Sequence, residues 1–250
     1  MIVSIDEKCC ADIELRIILI IIGSGHKEKF NVAVFMTCFN NAKYLGQSIE
    51  SVLSQDYKGS FHLFINDDAS TDESPKILKF YQEKFPEKIT LLLQTQNQFE
   101  KGKPIGIDLF KYSSSKYVAY CEADDFWHSK SKLKLQVRFM ERNKWCGLVH
   151  SAIEIQEDSS QNEYGPLLRK HLSENSKIEK RISGKILTKT NFVMTCSVML
   201  RRSEIPEAII EEIGSLQPMD QILFALTTRY SDIGFMRKKL ATYRVHAGNY

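Results

Sequence analysis

The sequence predicts an α/β domain built on a mainly parallel sheet, and three observations carry that reading. Short apolar runs rich in β-branched residues alternate with stretches of helical periodicity through the first half of the chain. These runs end in polar turns, at 37–41, 66–72 and 122–125. Ligands of wound parallel sheets gather beyond the carboxyl ends of the strands, so the three clusters should meet on one edge. The third observation is size: 250 residues, 43% of them hydrophobic and 26% charged, suit one globular unit with a full core.

Each element has its own signal. The run Asn31–Phe39 reads as a buried strand closed by Asn40-Asn41. A helix follows over Ala42–Gln55, with Leu45, Ile49, Val52 and Leu53 at helical spacing. Phe61–Ile65 is a second strand, and Asn66-Asp67-Asp68-Ala69-Ser70-Thr71-Asp72 is a turn in which Thr71 or Asp72 caps the next helix. That helix spans Ser74–Phe85, with Ile77, Leu78 and Tyr81 inward. Ile89–Leu93 is a strand, Ile105–Tyr112 a helix and Tyr117–Cys121 a strand. The second half is less regular. A basic amphipathic helix covers Lys130–Asn143, a strand Gly147–Ile155, and a long polar loop or lid 156–184. Phe192–Leu200 is apolar again, and Asp220–Tyr230 is a helix preceded by Pro218.

Composition removes several classes of function. A net charge of +3, without interleaved arginines and aromatics, does not suit a nucleic-acid binder. Six scattered cysteines form no C-x-x-C pair, so they suit core positions in a reducing, cytoplasmic setting. The run Ile17–Ile22 falls far short of the ~20 residues that a membrane-spanning helix needs. Acidic residues precede it, against the order of a signal peptide. It reads as an extra strand or irregular extension, and it leaves room for a peripheral membrane contact.

The chemistry concentrates in Tyr117–Trp127. An apolar strand runs into Glu122, Asp124 and Asp125, followed by Phe126-Trp127. Carboxylates packed together repel unless a cation shares the site. Oxygen ligands of this kind suit Mg2+ or Mn2+, which keeps positions free for water or phosphate. If the segment is extended, Glu122 and Asp124 share a face and Asp125 points away, free to hold backbone amides. A capped turn is the plainer account of the same residues. Asp67 stands at a strand end and can reach a ligand, whereas Asp220 reads either as a helix cap or as a base. His246, beside Arg244, is a candidate ligand once a metal is near. Arg201-Arg202 and Arg237-Lys238-Lys239 are most simply solvated faces, though they could also meet diphosphate or anionic lipid.

Together these pieces resemble the family 2 inverting nucleotide-sugar glycosyltransferases of the GT-A fold. Val32-Ala-Val-Phe-Met-Thr-Cys-Phe-Asn40 is similar to the family's first strand, and Tyr44-Leu45 with Ser51–Gln55 to its first helix. Asn66–Asp72 is similar to its D-D-G-S-T-D turn, with Ala69 in place of glycine. Cys121–Trp127 is similar to its D-x-D element, with Glu122 in place of the first aspartate. Thr195–Arg202, Asp220 and Tyr243–His246 resemble the acceptor side of a bacterial surface-polysaccharide branch.

The resemblance implies a Rossmann-like sheet flanked by helices, with a mixed acceptor-side C-terminal part. It implies a nucleotide-binding half at 31–127 and an acceptor half at 128–250, with residues 1–30 outside. Thr37, Phe39 and Asn40 would line the nucleotide pocket, and Asp67 would accept a hydrogen bond from the base. Asp124 would hold Mn2+ or Mg2+ on the diphosphate, Glu122 would lie on the ribose or metal side, and His246 would complete the contacts. Asp220 would deprotonate the acceptor hydroxyl. The implied partners are a nucleotide sugar, a UDP-sugar by default, and a glycan or lipid-linked acceptor. The alternative is a nucleotide-sugar or glycan-binding module without catalysis. A nucleotidyltransferase fits less well, because no glycine-rich basic loop follows the first strand.

Overall fold

Strand β2 (Lys29–Cys38) anchors the architecture, and its side chains show why. Val32, Val34, Met36 and Cys38 enter one hydrophobic cluster while Ala33 and Phe35 enter another, so the period-2 alternation feeds cores on both faces of one sheet. The computed structural model describes residues 20–22, 29–103, 105–158, 166, 168, 180–188, 192–212 and 219–247. After β1 (Ile20–Ile22) and β2 come α1 (Ala42–Leu53), β3 (Phe61–Asp67), α2 (Ser74–Lys84), β4 (Ile89–Leu93), α3 (Leu109–Tyr112), β5 (Ser114–Tyr120) and α4 (Lys132–Arg142). The second half adds β6 (Cys146–Glu157), β7 (Arg181–Ser183), β8 (Met199–Arg201), α5 (Glu207–Glu212), α6 (Met219–Thr227) and β9 (Asp232–Val245).

These strands form one nine-stranded sheet in the order β1-β4-β3-β2-β5-β8-β6-β9-β7. Strands β4, β3, β2 and β5 run parallel, which sets the ends of β2, β3 and β5 on one edge. The second half of the chain is mixed: β8 is antiparallel to both β5 and β6, whereas β6 and β9 are parallel. Leu45, Ile49, Leu78, Leu133 and Met140 bring α1, α2 and α4 onto one face. Phe110, Leu223 and Phe224 bring α3 and α6 onto the other.

Several expectations are corrected. The helix expected over 105–112 is a single turn, Leu109–Tyr112, because β5 already starts at Ser114. Pairing of Lys29 and Phe30 with Ser114 and Ser115 explains that early start. The longest strand, β9, was not foreseen, since Arg237-Lys238-Lys239 interrupts its apolar pattern. Its register with β6 shifts at that point, and the three basic side chains stay exposed. The polar stretch 156–184 contains the end of β6 and all of β7; residues 159–165, 167 and 169–179 lie outside the described residues. So do 1–19 and 23–28; Ile20–Ile22 is an edge strand antiparallel to β4. No helix among the described residues is long and apolar enough to cross a membrane.

Candidate active site

The turn after β3 is closed by its own side chains. Asp67 accepts hydrogen bonds from the Ser70 amide (3.1 Å) and hydroxyl (2.6 Å). Asp68 accepts the amides of Gln98 (2.7 Å) and Phe99 (3.0 Å), tying β3 to the loop after β4. Asp72 accepts Ser74 N–H (2.8 Å) and Ala42 N–H (3.0 Å), and so holds the starts of α2 and α1 together. Asn40, in the left-handed region at φ 52°, turns its side-chain oxygen to the amides of Thr71 (2.8 Å) and Asp72 (3.3 Å). Burial is the main cause that raises the proton affinity of Asp67 and Asp68, and the donated hydrogen bonds oppose it.

The loop after β5 is held from outside. It turns at once, with the Asp125 amide donating to Glu122 O at 3.1 Å, so the extended geometry expected for 122–125 is replaced. Ala123 N–H reaches Thr37 O at 3.1 Å, which places Thr37 directly under the loop. From α1, the Ser48 hydroxyl lies 2.7 Å from Ala123 O and 2.5 Å from Asp125 O, and Ser51 Oγ accepts Trp127 N–H at 3.0 Å. From β9, Arg244 closes the other side. Its amide donates to Asp125 Oδ1 at 2.8 Å, and its guanidinium donates to Asp124 O and to Gln47 Oε1. The guanidinium carbon sits 4.5 Å from the Tyr44 ring centre and 5.0 Å from that of Phe126. Asp125 therefore does hold a backbone amide.

Two residues beyond Arg244, His246 Nε2 comes within 3.1 Å of Asp124 Oδ2. Ligands at about 2.1 Å in adjacent octahedral positions stand about 3 Å apart, so this pair has the spacing of two neighbours on one hard cation. No group of three or more His, Cys, Asp or Glu among the described residues is arranged to hold an ion alone. Glu122 Oε2 is sealed from solvent without a hydrogen-bond partner. Burial, then Asp125, Asp124 and Asp220, push Glu122 well above the usual carboxylate range. Burial and Asp124 do the same to Asp125. A bound cation would relieve that repulsion, so the donor set fits the group that the motif implies.

Asp220 sits in the first turn of α6 rather than ahead of it, with Oδ1 accepting Gln221 N–H (2.8 Å) and Oδ2 accepting the Thr195 hydroxyl (3.2 Å). Its field reaches both Glu122 and Tyr120, whose ring packs against Phe224 of the same helix. The structure thus brings Glu122, Asp124 and His246 together with Thr37 beneath, and sets Asp220 within electrostatic reach of Glu122. Phe39 and Asn40 lie on the adjoining turn, where the Asn40 oxygen is taken up by the 71–72 amides. Asp67 stands at the neighbouring strand tip with its oxygens on Ser70.

Residues 33–207 match glycosyl transferase family 2, well over half of the chain. The chain belongs to this family. An uncharacterized glycosyltransferase of Nostoc is 26% identical over 228 residues, 87% of this chain and 66% of the relative. Staphylococcus aureus TarS, solved with UDP, superposes with a TM-score of 0.65 at 17% identity, over 86% of this chain and 60% of that one. A Pyrobaculum calidifontis mannosyltransferase, solved with GDP-Man and Mn2+, gives 0.61 at 17% identity, over 89% and 59%. The two structures show a shared GT-A fold. This family 2 chain spans less than two thirds of the length of these proteins.

Arg244, Gln47 and Ser48 were missed as parts of this family 2 site. Ser48 left a trace, since it is a polar position on the buried stripe of α1. Arg244 stands inside the Tyr243–His246 motif, but its clamp role was missed because charge in a sequence reads as solvent contact, yet it is only 2% exposed. Arg201 shows the same error. It is buried and donates to Cys146 O and Met140 O instead of facing water.

Proposed function

We propose that this family 2 member is a metal-dependent, inverting glycosyltransferase. It moves a sugar from a nucleoside diphosphate to a hydroxyl of a glycan or lipid-linked acceptor, in surface-polysaccharide synthesis. The observation that carries the reading is the 3.1 Å approach of His246 to Asp124, beside the unpartnered Glu122 oxygen. TarS with UDP and the mannosyltransferase with GDP-Man and Mn2+ support a nucleotide-sugar donor and a divalent ion. A UDP-sugar is the first donor to test.

Asp124 and His246 hold Mn2+ or Mg2+, which when bound supplies positive charge against the departing diphosphate. Thr37, Phe39, Asn40 and Asp67 line the nucleotide side, and Glu122 faces the donor ribose or the ion. Asp220 takes the proton of the acceptor hydroxyl, held in place by Thr195. The acceptor oxygen then bonds to the anomeric carbon as the bond to the diphosphate oxygen breaks on the opposite face, which inverts the centre. Residues 31–250 act as one unit, 31–127 on the donor side and 128–250 on the acceptor side. The setting we propose is cytoplasmic, with room for a peripheral contact at the inner face of the membrane.

Nucleotide release from a panel of UDP-, GDP-, TDP- and CDP-sugars with Mn2+ tests the proposal. Asp124→Asn should lose Mn2+-dependent nucleotide binding by more than the ~100-fold that an outer partner of a metal ligand can cost. Asp220→Asn should keep binding and lose about 10²–10⁴-fold in turnover. Normal turnover by Asp220→Asn would overturn the base assignment. Donor binding without release by any acceptor would select the binding-module reading instead.

A further inference from the structure

The cavity lined by residues 110–116 and 201–207 belongs to the opposite end of the sheet. It encloses about 590 Å3 and borders Ser113, Ser115, Lys116 and Arg202. Strand β5 enters at this end and delivers Glu122 and Asp124 at the other. Its seven residues, at about 3.3 Å each, put roughly 20 Å between the two. The volume is that of a small-molecule site.

We infer that this cavity binds a phosphate group, free or esterified. Four cations border it: Lys111, Lys116, Arg201 and Arg202. Arg201 is buried and donates to the backbone carbonyls of Cys146 and Met140, which leaves Lys111, Lys116 and Arg202 as the cations whose charged partners are side chains. The hydroxyls of Ser113 and Ser115 are buried and have no hydrogen-bond partner, and Ser113 is only 6% exposed. A buried hydroxyl without a partner costs free energy that a ligand oxygen recovers. A phosphate offers acceptors for both hydroxyls and charge for the cations. Phe110, under the Arg202 guanidinium at 5.4 Å, and Ile205 give an apolar wall for the ester's remaining body.

The carboxylate partners of these cations are easily exchanged. Arg202 donates to Ile205 O at 2.6 Å and pairs with Glu207, whose side chain is 80% exposed. Lys116 pairs with Glu141, and Lys111 with Asp108, in similarly wet surroundings. Exposed pairs of this kind contribute little, so a phosphate can displace them at small cost.

Calorimetric titration of the whole protein with inorganic phosphate, at constant ionic strength, tests the inference. The expected result is saturable binding that weakens about tenfold in Lys116→Gln and in Ser113→Ala, each removing one hydrogen bond to a charged group. Neither change should lower the melting temperature without phosphate, since Lys116 is half exposed and the Ser113 hydroxyl has no partner to lose. Asp124→Asn should bind phosphate normally. No saturable binding, equal binding by both cavity variants, or loss only in Asp124→Asn would overturn the site. Flotation with phosphatidylcholine vesicles, with and without phosphatidic acid, identifies the source. Flotation that depends on phosphatidic acid and Lys116 marks a lipid headgroup; titration without flotation marks a soluble phosphate.

Discussion

Two neighbouring acidic turns make the instructive contrast in this molecule. In sequence 66–72 and 122–125 look alike, each a cluster of carboxylates after an apolar strand. In the fold they differ: Asp125 in the second takes the Arg244 amide, but Glu122 does not find a partner for both oxygens. Every carboxylate of the first is supplied with donors: Ser70 for Asp67, the 98–99 amides for Asp68, and the Ala42 and Ser74 amides for Asp72. In the second, Glu122 Oε2 has no partner and Asp124 meets His246 at the surface of the site. Acidity alone does not define an ion site; what matters is whether the protein has already answered the charge. The first turn is closed by its own hydrogen bonds, and the second leaves one buried carboxylate oxygen unmet.

The largest effect expected from this contrast is at Asp68. Asp68→Ala should destabilise by about 1–3 kcal/mol, the consequence of leaving the buried Gln98 and Phe99 amides unmet. Chemical denaturation would show it, and a neutral result would dissolve the contrast. Glu122→Gln should act the other way. Because burial and its acidic neighbours raise the Glu122 pKa, its contribution to stability is intact below about pH 4.5 and declines as pH rises through the folded value. The glutamine variant escapes that decline. Its melting temperature without metal should exceed the wild type's at neutral pH by about 2–4 °C, the shift that ~1 kcal/mol gives a chain of this size. The gap should close toward pH 4.5 and shrink with Mn2+ and nucleotide. A melting temperature equal to wild type at neutral pH would mean that Glu122 is already answered.

The smallest effect concerns Ala69, which holds φ 60° in the middle of the well-supplied turn. Alanine there is strained, so Ala69→Gly should stabilise by about 1 kcal/mol. A loss of stability would show that the turn tolerates the alanine through contacts its backbone does not reveal.

The parallel half was readable in sequence because each strand there is a continuous apolar run and each helix has a clean stripe. Leu45, Ile49 and Val52 are all fully buried, as their spacing predicts. The three polar clusters do follow β2, β3 and β5 on one edge. The second half was harder because its elements do not obey simple periodicity. Strand β9 carries three exposed basic residues at a register shift, and α4 buries Lys132 and Gln136 among apolar neighbours. Lys132 is pushed down to about 7 by burial, over the ring of Trp127 at 4.1 Å. Motif resemblance could suggest His246 and Asp220, but only the fold brings Arg244 under the loop, since no local pattern announces a contact spanning about half the chain.

The Arg244 clamp also has a consequence for how the protein comes into being. As the chain leaves the ribosome, the nucleotide-side strands emerge first and can pair with one another. Thr37, Ser48 and Ser51 can hold one side of the acidic loop early, but its other side stays open until β9 arrives, 120 positions after Asp124, to deliver Arg244 and then His246. Such distant pairing comes late in folding. The closed Arg244 clamp would then mark a finished molecule, complete only when the last described strand has docked.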